Sequence, residues 1–280
     1  MPHATTDDGV RLYYEETGSG FPLVWCHEFA GSFESWEAQV RFFSRRYRVI
    51  TYNARGYPPS DVPGDAASYS QQRNVDDLYQ LLRHLEIQEA FIGGLSMGGA
   101  TTLHFGLQHP QMARALVIAS AGSGSDDPPA FREGCQRLAD ALRANGTGAL
   151  EAYAAGPARV QLHRKDPRGY EDFRRLLMAH SAEGSAFTME NVQGKRAPMY
   201  DFGEAMERLE VPTLVIIGDE DTACVQPAIF MKEHIPSAGL AVLPQAGHGI
   251  NLEDPDVFNR HVLDFLTAVE AGAWVVREPL

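Results

Sequence analysis

Two rhythms of apolar and polar residues alternate along this chain. Short apolar runs bounded by glycine, proline or charge mark strands, and longer stretches with apolar residues three or four apart mark helices. Strands are predicted at Arg11 to Glu16 and Pro22 to Cys26, on either side of the turn Gly18-Ser19-Gly20. A helix follows from Phe33 to Arg45, then a strand from Tyr47 to Asn53. Ser70 can cap the next helix, in which Val75, Leu78, Leu82 and Leu85 recur at helical spacing. Further strands are predicted at Ala90 to Gly94 and Ala113 to Ala119, with a helix from Met97 to Gln108 between them. This alternation predicts an α/β fold, a mainly parallel sheet with helices on both faces.

The alternation stops at about Gly124. From there to Arg208 no strong strand is visible, only helix-like stretches broken by Asn145-Gly146, Pro157, Asp166-Pro167 and Gly184. Val211 to Gly218 and Gly239 to Leu243 resume the strand pattern, and Pro255 to Val269 reads as a closing helix. The organisation predicted is a core made of residues 1–123 and 209–280, with residues 124–208 as a helical insertion. The insertion differs in charge. It holds 12 basic and 13 acidic residues, so it is near −1 while the remainder carries about −12. Either its basic residues form a solvated surface, or some of Arg159, Arg164, Lys165, Arg168, Arg174 and Arg175 face the site and attract an anionic substrate.

The strand at Ala90 to Gly94 runs into Gly94-Leu95-Ser96-Met97-Gly98. A serine flanked by glycines between a strand and a helix is the pattern of a nucleophile elbow, a turn so sharp that the serine backbone is strained and its hydroxyl exposed. Such a serine needs a base to take its proton and an acid to orient that base. Late in the chain, a strand leads into Gly218-Asp219-Glu220-Asp221, and the next leads into Gly247-His248. Ser96, an acid of this loop and His248 would therefore all lie beyond the carboxyl ends of strands, where open α/β sheets bind ligands. Asp219, Glu220 and Asp221 all remain candidates for the acid on position alone.

Together with Trp25-Cys26-His27-Glu28-Phe29 and Asn53-Ala54-Arg55-Gly56-Tyr57-Pro58-Pro59-Ser60-Asp61, these segments resemble the α/β-hydrolase superfamily over roughly residues 8 to 270. The resemblance implies an α/β-hydrolase fold with a helical cap. It implies Ser96 as nucleophile, His248 as general base and then acid, and Asp221, favoured by the family spacing, as the residue that orients the imidazole. It also implies an oxyanion hole built from the backbone N–H groups of Met97 and Phe29, with the Phe29 side chain free to line the pocket. His27 and Glu28 are then expected at the substrate pocket. Glu28 departs from the family's usual glycine, and a charge there would oppose an anionic intermediate unless paired, with Arg55 as a candidate partner.

The activity implied is hydrolysis of a carboxylic ester or lactone through an acyl-enzyme. Cleavage of a carbon–carbon bond in a β-diketone or vinylogous substrate is the alternative, with cofactor-free perhydrolysis and a ligand-binding receptor behind it. An elbow serine excludes the aspartate-dependent dehalogenases and epoxide hydrolases of the same superfamily.

Composition changes this picture little. The 280 residues, 44% hydrophobic and 22% charged, suffice for one large domain. A net charge of −13 argues against nucleic acid or an anionic membrane as partner. A small-molecule substrate is the expected partner, and monomer and homodimer both remain open. The N-terminus lacks the basic-then-apolar pattern of a secretory signal, so a cytoplasmic enzyme is expected. Cys26, Cys135 and Cys224 lie far apart, which predicts reduced thiols. No cluster in the sequence has metal-ligand spacing, so no metal and no organic cofactor is expected.

Overall fold

The computed structural model describes residues 2–277. Its centre is an eight-stranded sheet of β1 (His3–Thr5), β2 (Arg11–Thr17), β3 (Pro22–Cys26), β4 (Arg48–Tyr52), β5 (Ala90–Leu95), β6 (Ala113–Ala119), β7 (Thr213–Gly218) and β8 (Ala238–Leu243). The spatial order is β1-β2-β4-β3-β5-β6-β7-β8. β1 and β2 pair antiparallel, as do β2 and β4, and the remaining neighbours are all parallel. The mainly parallel α/β sheet expected from the alternation, and the α/β-hydrolase architecture that the resemblance implies, are thus present.

The inner strands are buried on both sides because their residues face two separate cores. Val24, Ile92, Ile118 and Val215 point to one core, with α2 (Gln71–His84), α3 (Met97–Gln108) and α10 (Thr222–His234) packed on it. Their strand neighbours Trp25, Phe91, Val117 and Leu214 point to the other, shared with α1 (Glu37–Phe43), α11 (Ile250–Glu253) and α12 (Pro255–Glu270). The side-chain period of two along a strand divides each apolar run between these two layers. Burying a large apolar side chain such as Phe91 stabilises by roughly 1.5–3 kcal/mol relative to leaving it exposed.

Between β6 and β7 the described chain contains helices but no strand. They are α4 (Pro128–Asn145), α5 (Leu150–Ala154), α6 (Val160–Lys165), α7 (Pro167–Met178), α8 (Ala182–Phe187) and α9 (Gly203–Glu207), with a π-helical turn at Thr188–Gln193. A third apolar cluster joins this excursion to the sheet: Leu142, Leu150, Phe173 and Leu177 pack with Phe29, Tyr57 and Met97.

Several boundaries depart from the sequence reading. The helix expected from Phe33 begins as a 3-10 turn, Phe33–Trp36, because Ser32 and Ser35 cap it reciprocally before α1 starts at Glu37. Ser70 caps α2 as expected, its Oγ accepting from Arg73 N at 3.0 Å. The short edge strand β1 and helix α10 were not legible. β1 is three residues long, and α10 is crossed by Pro227 and has little apolar periodicity.

Candidate active site

The elbow forms where β5 ends. Ser96 occupies the N-cap of α3 with φ 56° and ψ −109°, a left-handed backbone that non-glycine residues rarely adopt. The flanking glycines have a steric cause. A Cβ on Gly94 would lie 2.2 Å from the Gly98 carbonyl oxygen, and one on Gly98 would lie 2.0 Å from the Cys26 carbonyl oxygen. Only glycine lets α3 approach the end of β3 this closely. The Ser96 N–H donates to Ala119 O at 2.8 Å, which ties the turn to β6.

Asp221 follows β7 and His248 follows β8. His248 Nδ1 lies 2.7 Å from Asp221 Oδ2, and both residues are buried. Burial acts to raise the Asp221 carboxyl, but the charge of His248 and its hydrogen bond outweigh this, so the carboxyl is held below its ordinary value. An ionised Asp221 accepts a hydrogen bond from Nδ1–H, which leaves Nε2 as the ring's free acceptor. Among the three acids of the loop, this geometry singles out Asp221. Asp219 accepts from Ala246 N at 3.3 Å, and Glu220 faces outward to Gln161 and Arg164.

The histidine loop is held from two sides. Glu253, which the sequence reading passed over, accepts from Gly247 N at 2.7 Å and Gly249 N at 3.1 Å, bracketing His248. From the helical excursion, Ala158 O accepts from His248 N at 3.2 Å. Ser96, Asp221 and His248 open on one cavity of about 440 Å³. Its far wall is largely apolar, with Phe131, Leu138, Tyr153 and Met189 supplied by the excursion. That size suits a small organic molecule. These wall residues were not legible, because they come from separate helices whose relative placement no local pattern encodes.

Met97 is the first residue of α3, so its N–H has no intrahelical partner and faces the positive end of the helix dipole. The N–H of Phe29, just beyond β3, donates to no protein group among the described residues. Contact of Gly98 with Cys26 and His27 carbonyls brings these two segments together.

His27 and Glu28, expected at the substrate pocket, are not among the residues that line this cavity. His27 accepts from Ala54 N at 3.0 Å through Nε2 and sits 2.6 Å from Glu28 O through Nδ1, which assigns the proton to Nδ1. Burial pushes His27 down to about 4, so it braces the loop as a neutral ring. The Phe29 ring is likewise not among the lining residues and packs edge-on against Tyr153, which is, at 5.4 Å.

Glu28 is almost fully buried and paired, but with Arg159 rather than Arg55. Arg159 Nη1 lies 2.9 Å from Glu28 Oε1, and its Nη2 bonds Glu28 Oε2. Burial would raise the Glu28 carboxyl, and the Arg159 charge outweighs it, holding the carboxyl below its ordinary value. Arg55 is instead clasped by Asp77, at 2.6 and 2.8 Å, and by Asp8.

Of the two readings of the basic excursion, the structure favours the paired and solvated surface. Arg159 is paired with Glu28, Arg164 with Glu220, Lys165 with Asp254, Arg174 with Glu151 and Arg175 with Asp172, while Arg168 is exposed. Of these six, only Arg159 reaches the cavity, and its charge is neutralised.

Possible donors to a metal are closer together than the sequence spacing implied. One atom each from Asp221, Cys224 and His248 lies within 4.8 Å of the others. Two of the three already hydrogen-bond each other, and burial holds the Cys224 thiol well above its ordinary value, so it stays protonated. Among the described residues, no helix is long and apolar enough to cross a membrane.

A family model described as the alpha/beta hydrolase fold matches residues 22–255. The chain is 28% identical over 264 residues to 3-oxoadipate enol-lactonase 2 of Acinetobacter baylyi, covering 92% of this chain and 93% of that one. It is also 28% identical over 274 residues to 2-hydroxy-6-oxo-6-(2'-aminophenyl)hexa-2,4-dienoic acid hydrolase of Metapseudomonas resinovorans, covering 92% and 88%. The solved structure of a thermophilic esterase from Thermogutta terrifontis superposes with a TM-score of 0.84 at 26% identity, covering 96% of this chain and 98% of that one. A match over this span makes the chain a member of the alpha/beta hydrolase fold family.

Proposed function

We propose that this protein is a serine hydrolase that cleaves a carboxylic ester or lactone of a small organic molecule. The observation that carries the reading is the 2.7 Å contact between His248 Nδ1 and Asp221 Oδ2, on the wall of a cavity shared with the strained Ser96. In this reading His248 Nε2 takes the Ser96 proton as Oγ attacks the carbonyl carbon. Asp221 holds the ring in the Nδ1–H tautomer and stabilises the imidazolium that forms.

The tetrahedral oxyanion is received by the N–H groups of Met97 and Phe29. Removing one such donor in comparable sites costs about 3 kcal/mol of transition-state stabilisation. His248 then protonates the leaving oxygen, and water repeats the sequence on the acyl-enzyme to release the acid. Residues 124–208 act as a cap over a core formed by 1–123 and 209–280, supplying the apolar wall that selects the substrate. Glu28 takes no part in proton transfer, because its charge is already balanced by Arg159.

A second reading, hydrolytic cleavage of a carbon–carbon bond in a vinylogous keto acid, is favoured by the likeness to the Metapseudomonas resinovorans hydrolase. Turnover assays on p-nitrophenyl esters, aliphatic lactones and a vinylogous keto acid separate the two. The first reading expects ester or lactone turnover that Ser96→Ala reduces by more than about a thousandfold while the fold is retained. Turnover of the keto acid alone would favour the second reading, and full activity in Ser96→Ala would overturn both.

A further inference from the structure

β7 and β8 pair as far as Gly218 and Leu243, so Asp221 and His248 lie three and five residues beyond the last rung of the ladder. Their contact is therefore set by whatever holds the two loops together. The loops share bonds of their own: Glu220 N donates to Ala246 O at 2.9 Å, and Ala246 N donates to Asp219 Oδ1 at 3.3 Å. The remaining ties come from outside the sheet, from the segment Ala158 to Lys165 that contains α6.

Each polar side chain of this segment reaches a loop beside a triad member. Gln161 Nε2 donates to Glu220 Oε2 at 2.9 Å, next to Asp221. Arg164 Nη2 spans both loops, donating to Glu220 Oε1 at 3.1 Å and to Gln245 O at 3.2 Å. Lys165 bonds Asp254 beyond the histidine loop, and Ala158 O accepts from His248 N. The fit is close enough to fix the sequence at 247. A Cβ on Gly247 would lie 2.4 Å from Gln161 Oε1 and 3.0 Å from Ala158 O, so only glycine lets α6 sit against the histidine loop.

Gln161 stands out within this set. It is 4% exposed, yet it does not line the cavity of Ser96 and His248, so it is not a substrate contact. Its amide is only half satisfied, because Oε1 lies against Gly247 without a hydrogen bond. A leucine would fill the same space without a buried, unpaired acceptor, so stability alone does not favour an amide here.

We propose that Gln161 is a positioning residue of the catalytic pair. Wedged between Glu220 and Gly247, it sets the separation of the acid and histidine loops that keeps Asp221 Oδ2 against His248 Nδ1. The helical excursion thus aligns the triad as well as walling the cavity. This inference rests on the hydrolase reading above and deepens it. Small misplacements of reacting groups are costly in rate, whereas a residue away from the substrate leaves binding alone.

The test is Gln161→Leu, assayed on p-nitrophenyl acetate and p-nitrophenyl hexanoate. kcat should fall by about ten- to a hundredfold, by the same factor for both esters, with KM within about threefold and the urea midpoint retained. In an Asp221→Asn background the same substitution should cost no more than about a further twofold, because the contact it serves is already lost. An unchanged kcat, a loss that differs between the two esters, or a loss that persists in full in the Asp221→Asn background overturns the proposal. Should Gln161→Leu not fold, Glu220→Ala decides from the surface end of the bridge: a lower kcat at constant KM supports the clamp, and an unchanged kcat overturns it. Failure of every ester sinks the serine-hydrolase reading instead. Hydrogen exchange of peptides spanning 218–224 and 245–250 then judges Gln161, since faster exchange in Gln161→Leu supports the clamp and unchanged exchange overturns it.

Discussion

The ion pair between Glu28 and Arg159 joins the loop after β3 to the helical excursion, and removing one partner gives a sharp prediction. Glu28 is 1% exposed and Arg159 is 3% exposed. Arg159→Met therefore leaves a carboxylate buried against Tyr153 and Phe29 with its counter-charge gone. Breaking a buried pair on one side costs about 3–5 kcal/mol, whereas replacing both partners by apolar residues is often near neutral. With a urea m-value of about 3 kcal/mol/M, the unfolding midpoint of Arg159→Met should fall by about 1–1.7 M.

The double variant Glu28→Met with Arg159→Met should regain most of that loss. Activity reports the same contact, because Glu28 precedes the Phe29 amide. If the unpaired carboxylate shifts that amide, kcat in Arg159→Met should fall by as much as about a hundredfold, the cost of one oxyanion donor. Urea denaturation followed by tryptophan fluorescence, with ester turnover on the same preparations, measures both effects. A loss below about 1 kcal/mol in Arg159→Met, or a double variant no more stable than the single, would refute the reasoning.

Three further outcomes are expected. Asp221→Asn should lower kcat by about 10⁴, as loss of the tautomer-setting acid does in comparable triads, while Asp219→Asn, whose Oδ1 still accepts from Ala246 N, should stay within about tenfold. Equal losses in ester turnover would displace Asp221 from its role. Stability should decline with acid: burial pushes His27 and His104 down to about 4 and His180 to about 3, from an ordinary 6.5. Below pH 6.5 the unfolded chain takes up protons that the folded chain refuses, so ΔG of unfolding falls with pH, each such histidine adding up to about 1.4 kcal/mol per pH unit. Urea midpoints at pH 7, 5.5 and 4.5 should drop in that order, and His27→Gln should flatten the slope; a flat series would contradict it. Glu253→Ala should lower kcat more than KM by freeing the loop around His248, and ester kinetics showing only a KM effect would place Glu253 outside that loop's support.

The elbow was legible because its constraint is local: contacts of a few residues force glycine at 94 and 98 and strain at 96. The acid and histidine were legible through strand order, since each ends an apolar run. The role of Arg159 was not. The choice between a salt-bridged, solvated or cavity-facing arginine depends on a carboxylate distant in sequence. Glu28 lies 131 residues before Arg159, and no spacing rule reaches that far. The basic residues of the excursion left open an attraction for an anion, yet five of the six singled out there carry carboxylate partners of their own.

The central claim is that Ser96 is the nucleophile, and covalent labelling tests it most directly. The wild-type protein, treated with a fluorophosphonate and digested, should yield one modified peptide by mass spectrometry, with the adduct on Ser96. Ser96→Ala should remain unlabelled, and His248→Ala should label far more slowly. An adduct on any other residue, or undiminished labelling of Ser96→Ala, would contradict the account.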